Sequence, residues 1–155
     1  MQVKSTEIAL ISNVLRKYGT IDLPSKGMSM YPFIKEEDIC SFSVCNPAFL
    51  KKGDIVLFFL KNGQLVAHRF YNNTIISNKK HFIFKGDTNL AFDEPVEADQ
   101  ILGKLTKLNR KNKSKKITSF KNKCWTQLII TMPSISNLLQ VYLSKTQGNK
   151  LHIRI

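Results

Sequence analysis

Short runs of strand-forming residues, separated by turn residues, fill the chain between positions 39 and 108. Runs rich in Ile, Val, Phe and Tyr and bounded by Gly, Pro, Asn or Asp are typical of β-strands. Asn62-Gly63 adds a hairpin signal, because both residues tolerate the positive φ of a tight turn. With no long helical pattern between them, these runs favour an antiparallel, partly coiled sheet over parallel βαβ units. The predicted strands are 39–44, 54–60, 65–71, 74–77, 82–84 and 101–108.

Helical periodicity appears at the two ends of the chain. Residues 5–18 carry apolar side chains at the spacing of one helical face and predict a short amphipathic helix. Residues 124–143 carry no charge over a length close to that of a bilayer span, but Thr, Gln, Ser and Asn interrupt them. Because Pro133 predicts a break, we expect two short helices that pack on the domain or lie at a membrane surface.

These patterns divide the chain into three segments. We expect an amphipathic helix over 1–19, a β-rich core over 20–108, and a basic segment followed by apolar, membrane-associated helices over 109–155. No secretory signal or anchor is seen at the N-terminus, because polar residues interrupt the first apolar stretch and basic residues follow it. The expected location is therefore membrane-associated or cytoplasmic.

The positive charge of the chain is concentrated in one segment. Lys and Arg number 24 against 11 Asp and Glu, a formal net charge of +13, and residues 104–123 hold nine of these cations and no acid. A basic run beside an uncharged segment suits an anionic membrane surface better than nucleic acid, so we expect membrane contact through 104–143 and no nucleic-acid partner. A solvated basic face with no partner is the alternative.

The cysteines predict neither a disulfide framework nor a metal site. There are three of them, Cys40, Cys45 and Cys124, and none has the CxxC spacing of zinc or redox sites. Cys40 and Cys45 lie among apolar residues, so we expect both to be small core residues with reduced thiols. Nothing in the sequence implies a cofactor.

Three separated segments carry residues suited to nucleophilic catalysis. Ser29 follows a Gly-containing turn, where a constrained bend can turn its hydroxyl toward a substrate carbonyl, although small residues also crowd ordinary loops. His68 lies in an apolar strand pattern, either as a structural residue or as the neutral imidazole that an activated serine needs. Asp87 and Asp93 follow, and either could orient an imidazole or merely close a turn.

Together these segments belong to a pattern of five blocks that resembles the signal peptidase I family in order and spacing. The match spans residues 20–108, and His68-Arg69 stands where most bacterial members have Lys-Arg, which is similar to the Ser-His branch of endoplasmic reticulum and archaeal-type enzymes. Gly-x-Ser-Met is also similar to the LexA-type peptidases, but their Lys base and DNA-binding helix-turn-helix are not seen. The blocks are Gly27-x-Ser29-Met30-x-Pro32, Lys52-Gly53-Asp54-Ile55-Val56, Val66-x-His68-Arg69, Lys85-Gly86-Asp87-x-Asn89 and Ile101-x-Gly103-Lys104-Leu105.

The resemblance implies a coiled β-sheet peptidase core of the signal peptidase and LexA type, in a small form without the family's N-terminal membrane anchor. In it Ser29 would attack a peptide carbonyl while His68 accepts its proton. Asp93 is expected to orient the imidazole and Asp87 to support the turn, with the reverse order, or Glu94 as a substitute, left open.

The resemblance also implies how the substrate is held. The residues expected to bind substrate surround the nucleophile: Gly27, Met28, Met30 and Pro32. The backbone N–H of Ser29 would stabilise the oxyanion. Gly27 stands where many members have a Ser as second donor, so another backbone N–H would replace it.

The sequence therefore predicts a serine endopeptidase that removes leader or signal segments from precursor peptides or proteins. Such an enzyme would bind its substrate as an extended strand and select small residues beside the cut. The alternative is a catalytically inactive peptidase-like module that binds peptides or an anionic membrane surface. Both the prediction and its mechanism require that folding brings the hydroxyl of Ser29 within proton-transfer reach of His68.

Overall fold

The structure is a computed structural model that describes residues 5–111, 113–117 and 120–151. Its described residues form one antiparallel sheet of seven strands with a helix before it and two helices after it, so the α+β expectation is confirmed. The helices are α1 (Ser5–Tyr18), α2 (Phe120–Thr131) and α3 (Ser134–Leu151). The strands are β1 (Thr20–Pro24), β2 (Ile39–Ser43), β3 (Ile55–Phe59), β4 (Leu65–Ile76), β5 (Lys79–Lys85), β6 (Ile101–Arg110) and β7 (Lys113–Lys116). Short 3-10 helices cover Pro47–Phe49 and Ala98–Gln100.

The strands follow the order β1-β2-β6-β3-β4-β5, and every pair is antiparallel. β3 and β7 pair with different parts of β6. β3 pairs with it up to Lys104, and β7 pairs with it over 107–110. β1 and β5 are the outer strands of this order, and the sheet of the described residues is neither closed nor curled. The coiled form expected from the sequence is therefore not observed.

The core lies on both faces of the sheet, and β3 shows why. Successive side chains of a strand point to opposite faces. Ile55 and Leu57 accordingly pack in one apolar cluster, whereas Val56 and Phe58 pack in the other. A strand covered on both faces has to be apolar at every position, which explains the unbroken sequence IVLFF.

Helix α1 coincides with the amphipathic segment predicted from the sequence. Leu15 is buried, and Ile11 packs against the apolar cluster that contains Leu57. The helix ends at Tyr18 and is followed by Gly19. The N–H of Gly19 donates to the carbonyl of Leu15 at 2.8 Å, and its φ of +75° suits glycine. The predicted helix is confirmed, and it packs against β1 and β6 of the sheet.

Several strands differ from the prediction. The predicted strands 65–71 and 74–77 are one strand, β4, because a bulge at Tyr71 lets its pairing with β5 continue past this residue. β1 was not predicted, since it is short and ends at a proline. β7 was not predicted either; it lies in the basic segment, and this part of the segment forms a β-hairpin with β6.

The C-terminal helices break at Pro133, as predicted, and α2 packs closely on the sheet. A Cβ on Gly53 would overlap Cγ2 of Thr126, so only glycine fits beneath the helix. Ile129 of α2 is 1% exposed, and Tyr142 of α3 stacks on Tyr31 with ring centroids 6.1 Å apart. None of the helices among the described residues has the length and apolar character needed to span a bilayer.

The cysteines are all free, but only one of the two expected core residues is fully buried. Cys40 is 3% exposed and packs in the cluster with Leu57. Cys45 lies just beyond β2 and is half-buried, because the chain leaves the sheet there. Cys124 is exposed on α2.

Candidate active site

The hydroxyl of Ser29 lies beside the imidazole of His68, which in turn lies beside Asp93. Oγ of Ser29 is 3.0 Å from Nε2 of His68, and Nδ1 of the same ring is 2.6 Å from Oδ2 of Asp93. An ionised carboxylate can only accept hydrogen bonds, so its partner Nδ1 carries the proton. Nε2 is then left as an acceptor for the hydroxyl of Ser29, which is the arrangement of a general base next to a nucleophile.

β4 places the imidazole. His68 pairs with Val56 on β3 and is 6% exposed, so the ring is held between packed neighbours. The ring of Phe58 meets it edge-on, with centroids 6.3 Å apart. A buried ring with a hydrogen bond at each nitrogen has little freedom to turn, and it stays directed at the serine.

Ser29 lies in the turn between β1 and β2, and the segment after β5 holds this turn in place. The N–H of Thr88 donates to the carbonyl of Ser29 at 2.9 Å, and its hydroxyl donates to the carbonyl of Met28 at 3.2 Å. The N–H of Ser29 has no hydrogen-bond partner within the described ranges. It is therefore free to stabilise an oxyanion formed on a substrate carbonyl.

Gly86 allows these segments to approach each other. A Cβ at this position would lie 2.9 Å from the carbonyl oxygen of Ser29 and 3.0 Å from Nε2 of His68. Any side chain there would push the serine and the imidazole away from their present positions. This contact gives a physical reason for the glycine in the Lys85-Gly86-Asp87 block.

The two candidate aspartates have different partners. Asp87 binds Arg69 through two hydrogen bonds, Nε to Oδ1 at 2.6 Å and Nη2 to Oδ2 at 3.0 Å, and both side chains are 1% exposed. Asp93 binds His68, and its N–H donates to the carbonyl of Phe84 at 2.9 Å. Asp93 is thus the carboxylate on the imidazole, while Asp87 neutralises a buried guanidinium.

Glu94, the third acid considered from the sequence, is exposed. Both ring nitrogens of His68 already have partners in Ser29 and Asp93. Glu94 is therefore not required to orient the imidazole in this arrangement.

A cleft of about 740 Å³ opens beside the serine and the imidazole. Its apolar floor includes Cys40, Phe42 and Leu57, and α1 contributes Leu10 and Ile11 to one wall. Other lining residues are Glu7, Leu23, Pro24, Ser25, Lys26, Gly27, Ser29, Met30, Ile34, Leu60, Gln64, Leu65, Val66, Ala67, His68, Asn89 and Asp93. The cleft therefore offers an apolar surface next to the hydroxyl of Ser29.

The residues predicted to bind substrate divide into two pairs. Gly27 and Met30 line the cleft, whereas Met28 and Pro32 are not among its lining residues. The carbonyl of Met28 accepts the N–H of Tyr31 at 3.0 Å, and the peptide bond before Pro32 is cis. Met28 thus contributes a hydrogen bond to the turn that carries Ser29, and Pro32 lies in the same turn.

The residues that sequence reasoning missed come from α2. The indole N–H of Trp125 donates to Oδ2 of Asp87 at 2.9 Å, and the hydroxyl of Thr126 accepts from Nη1 of Arg69 at 2.8 Å. Both are distant in sequence from the five blocks, and no local motif marks them. In the part of the chain that the structure describes, no group of three or more His, Cys, Asp or Glu is arranged to hold a metal ion.

The chain was compared with known protein families, curated proteins and solved structures. No family model, curated protein or solved structure matches the chain. The resemblance to the signal peptidase I family therefore depends on the five sequence blocks, and the arrangement of Ser29, His68 and Asp93 depends on the contacts described above.

Proposed function

We propose that the chain is a serine endopeptidase of the signal peptidase I type, with Ser29 as nucleophile and His68 as general base. The observation that carries this proposal is the hydrogen-bonded series in which Oγ of Ser29 lies 3.0 Å from His68 and the ring lies 2.6 Å from Asp93. Nucleophile, base and orienting acid are in the order that acyl-transfer chemistry needs. The proposal includes a peptidase core of the signal peptidase and LexA type. The order of the five sequence blocks supports this part of the proposal.

The proposed reaction proceeds in two halves. Nε2 of His68 takes the hydroxyl proton as Oγ of Ser29 bonds to the scissile carbonyl carbon, and the N–H of Ser29 stabilises the oxyanion. The imidazolium then gives its proton to the leaving amine as the peptide bond breaks, which leaves an acyl-enzyme. Water, deprotonated by the same imidazole, attacks the ester, releases the acid product and restores the hydroxyl. Asp93 stabilises the imidazolium in both halves.

The proposed substrate is an extended segment of a precursor peptide or protein, such as a leader or signal segment. β1 is an outer strand of the sheet order, and Leu23 and Pro24 at its end line the cleft. An extended peptide could form main-chain hydrogen bonds with such an edge and direct alternate side chains into the apolar cleft. Selection of small residues beside the cut would then be set where the cleft meets Ser29.

Contact with an anionic membrane surface is proposed as a second property. Exposed apolar side chains lie on α2 and α3, where Leu128 is 41%, Leu138 70% and Val141 53% exposed. Exposed Lys107, Lys111, Lys113 and Lys123 lie near them in the sequence. Each cation close to anionic lipid contributes about 1 kcal/mol of attraction, so this combination supports binding at a surface. The purely binding module, without catalysis, is the alternative function.

The peptidase proposal is tested with purified full-length protein and a mixture of precursor-derived peptides, with new termini identified by mass spectrometry. A serine-reactive fluorophosphonate probe supplies a second readout that needs no known substrate. We expect Ser29→Ala and His68→Ala each to abolish cleavage, and Ser29→Ala to abolish labelling. Ser144→Ala and His81→Gln are matched controls outside the site and should retain both.

Two results would count against catalysis. Equal cleavage by the wild type and Ser29→Ala would show that another protein in the preparation is responsible. A wild type that neither cleaves any peptide nor takes up the probe, but sediments with vesicles containing phosphatidylserine, would favour the binding module. The membrane property has its own test. The Lys111→Glu and Lys113→Glu double variant should reduce sedimentation with vesicles that contain phosphatidylserine. Unchanged sedimentation would contradict binding at an anionic surface.

A further inference from the structure

Two residues of α2 complete the hydrogen bonding of the buried Arg69–Asp87 ion pair. Nε1 of Trp125 donates to Oδ2 of Asp87 at 2.9 Å, and Nη1 of Arg69 donates to Oγ1 of Thr126 at 2.8 Å. The same Nη1 also donates to the carbonyl of Gly53 at 3.2 Å. Both members of the pair therefore have hydrogen-bond partners on the helix as well as each other.

Arg69 is adjacent in sequence to His68, and Asp87 is adjacent to a residue that holds the turn of Ser29. Arg69 follows His68 on β4, so its backbone is continuous with that of the imidazole-bearing residue. Asp87 lies between Gly86, where a Cβ would meet the imidazole and the serine carbonyl, and Thr88, whose N–H donates to that carbonyl. A displacement of the pair would be passed directly to the segments that place Ser29 and His68.

Because the Arg69–Asp87 pair is buried, the loss of a single hydrogen bond from α2 would disturb it. The side chains of Arg69 and Asp87 are each 1% exposed, so water does not replace a lost partner. A buried polar atom left without its hydrogen bond costs free energy, and more when the group is charged. The pair would relieve that cost by shifting toward solvent or toward other donors, and the neighbouring backbone would move with it.

We propose that Trp125 and Thr126 are positioning residues, and that docking of α2 on the Arg69–Asp87 pair fixes the distance between Ser29 and His68. The C-terminal segment is then part of the active site, even though it lies outside the five sequence blocks. The inference rests on the proposed function for its kinetic consequence, whereas the coupling of α2 to the imidazole can be measured without catalysis.

The test compares Trp125→Phe, which keeps an aromatic ring but removes the donor, with Thr126→Val, which keeps the methyl against Gly53 but removes the hydroxyl. Thr126→Ser restores the hydroxyl, and Gln127→Ala, an exposed change on the same helix, is the matched control. With a cleaved peptide as substrate, we expect kcat to fall about tenfold in Trp125→Phe and Thr126→Val, with KM changed less than twofold. Thr126→Ser should recover most of the activity, and Gln127→Ala should match the wild type.

The second measurement is the imidazole signal of His68 in ¹H–¹⁵N NMR spectra of the same variants. Loss of either α2 partner should shift this signal, while Gln127→Ala should leave it unchanged. If kcat and the His68 signal are unaffected in both variants, the inference is overturned. If no variant, including the wild type, cleaves any peptide but the His68 signal still shifts, the proposed function fails and the positioning role stands. Should Trp125→Phe not fold, the smaller Thr126→Val change decides the question.

Discussion

Oδ2 of Asp93 lies 2.6 Å from Nδ1 of His68, on the side of the ring opposite the serine. A carboxylate in this position fixes the tautomer of the imidazole and stabilises its protonated form. The relationship separates the two aspartates by role, since Asp87 binds Arg69 and α2 instead. Each role predicts a different response to the same chemical change.

Replacement of Asp93 by Asn should reduce activity with little effect on the fold. The amide would keep the shape but favour the wrong imidazole tautomer, so we expect kcat to fall about a thousandfold to ten-thousandfold. Peptide cleavage rates and thermal unfolding of Asp93→Asn against the wild type measure both effects. Full activity in this variant would exclude Asp93 as the orienting acid.

Replacement of Asp87 by Asn should instead destabilise the fold. Arg69 would be left as a buried charge without its counter-ion, and breaking a buried pair in this way costs about 3–5 kcal/mol of unfolding free energy. Urea denaturation followed by circular dichroism measures the loss. Asp99→Asn, at an exposed acid in a 3-10 helix, is the control that should unfold like the wild type. Wild-type stability in Asp87→Asn would contradict the structural role of the ion pair.

A methyl group at position 86 should separate the nucleophile from its base. Because the Cβ of Gly86→Ala would lie 2.9 Å from the serine carbonyl and 3.0 Å from the imidazole, one of them has to move. We expect at least a tenfold loss of cleavage and slower labelling of Ser29 by the serine-reactive probe. Near-wild-type labelling in a folded Gly86→Ala protein would show that the contact does not constrain the site.

A charge on α1 should weaken substrate binding without altering chemistry. Leu10 lines the cleft although it is 63% exposed, so it can contact a bound apolar peptide. We expect Leu10→Glu to raise KM about tenfold or more with kcat nearly unchanged, because it would place an anion against an apolar ligand. Asn13→Glu adds the same charge to an exposed position of α1 that does not line the cleft. Equal kinetics in the two variants would remove α1 from the binding surface.

The thiol of Cys40 predicts a pH dependence of stability. Burial, assisted by the carboxylate of Asp38 and opposed by Arg110, raises its pKa from 9.0 to about 12. Above pH 9 the thiol of the unfolded chain loses its proton while that of the folded chain keeps it, so stability falls as pH rises from about 9 toward 12. Urea unfolding at pH 8, 9 and 10 should show a smaller decline in Cys40→Ala than in the wild type.

Thiol labelling provides a separate check on the same residue. At pH 8, a thiol reagent should modify exposed Cys124 rapidly in the native protein and reach Cys40 only after unfolding. Because Cys45 is half-buried, the Cys45→Ala and Cys124→Ala double variant isolates the slow reaction of Cys40. Rapid labelling of Cys40 in the native state would show that it is open to solvent.

Much of the fold was predictable because its signals are local. The apolar periodicity of 5–18, the Asn62-Gly63 turn and the break at Pro133 each depend on residues within a few positions of one another, and all appear in the structure. β7 shows the limit of such signals. Consecutive lysines have low strand propensity and repel one another, yet pairing with β6 makes 113–116 a strand.

Some residues of the candidate site were predictable from the sequence, and others were not. Ser29 and His68 were singled out because their blocks have a characteristic order, and Asp93 because the resemblance implies an orienting acid. The structure brings the three side chains together. Trp125 is 38 positions from Asp87, and Thr126 is 57 positions from Arg69. The local sequence of α2 contains no motif that predicts these contacts. Only the folded chain shows that a buried charge pair needs these groups.

Because His68 and Arg69 are neighbours on β4, they face opposite sides of the sheet, one toward the cleft and the other toward α2. A slip of this strand by a single residue would exchange them, directing the guanidinium at the serine and the imidazole under the helix. The tight turn over 61–64, which sets the alignment of β3 with β4, therefore governs which chemistry the cleft receives. A one-residue insertion in that turn that shifted the register of β4 would remove the contact between Ser29 and His68.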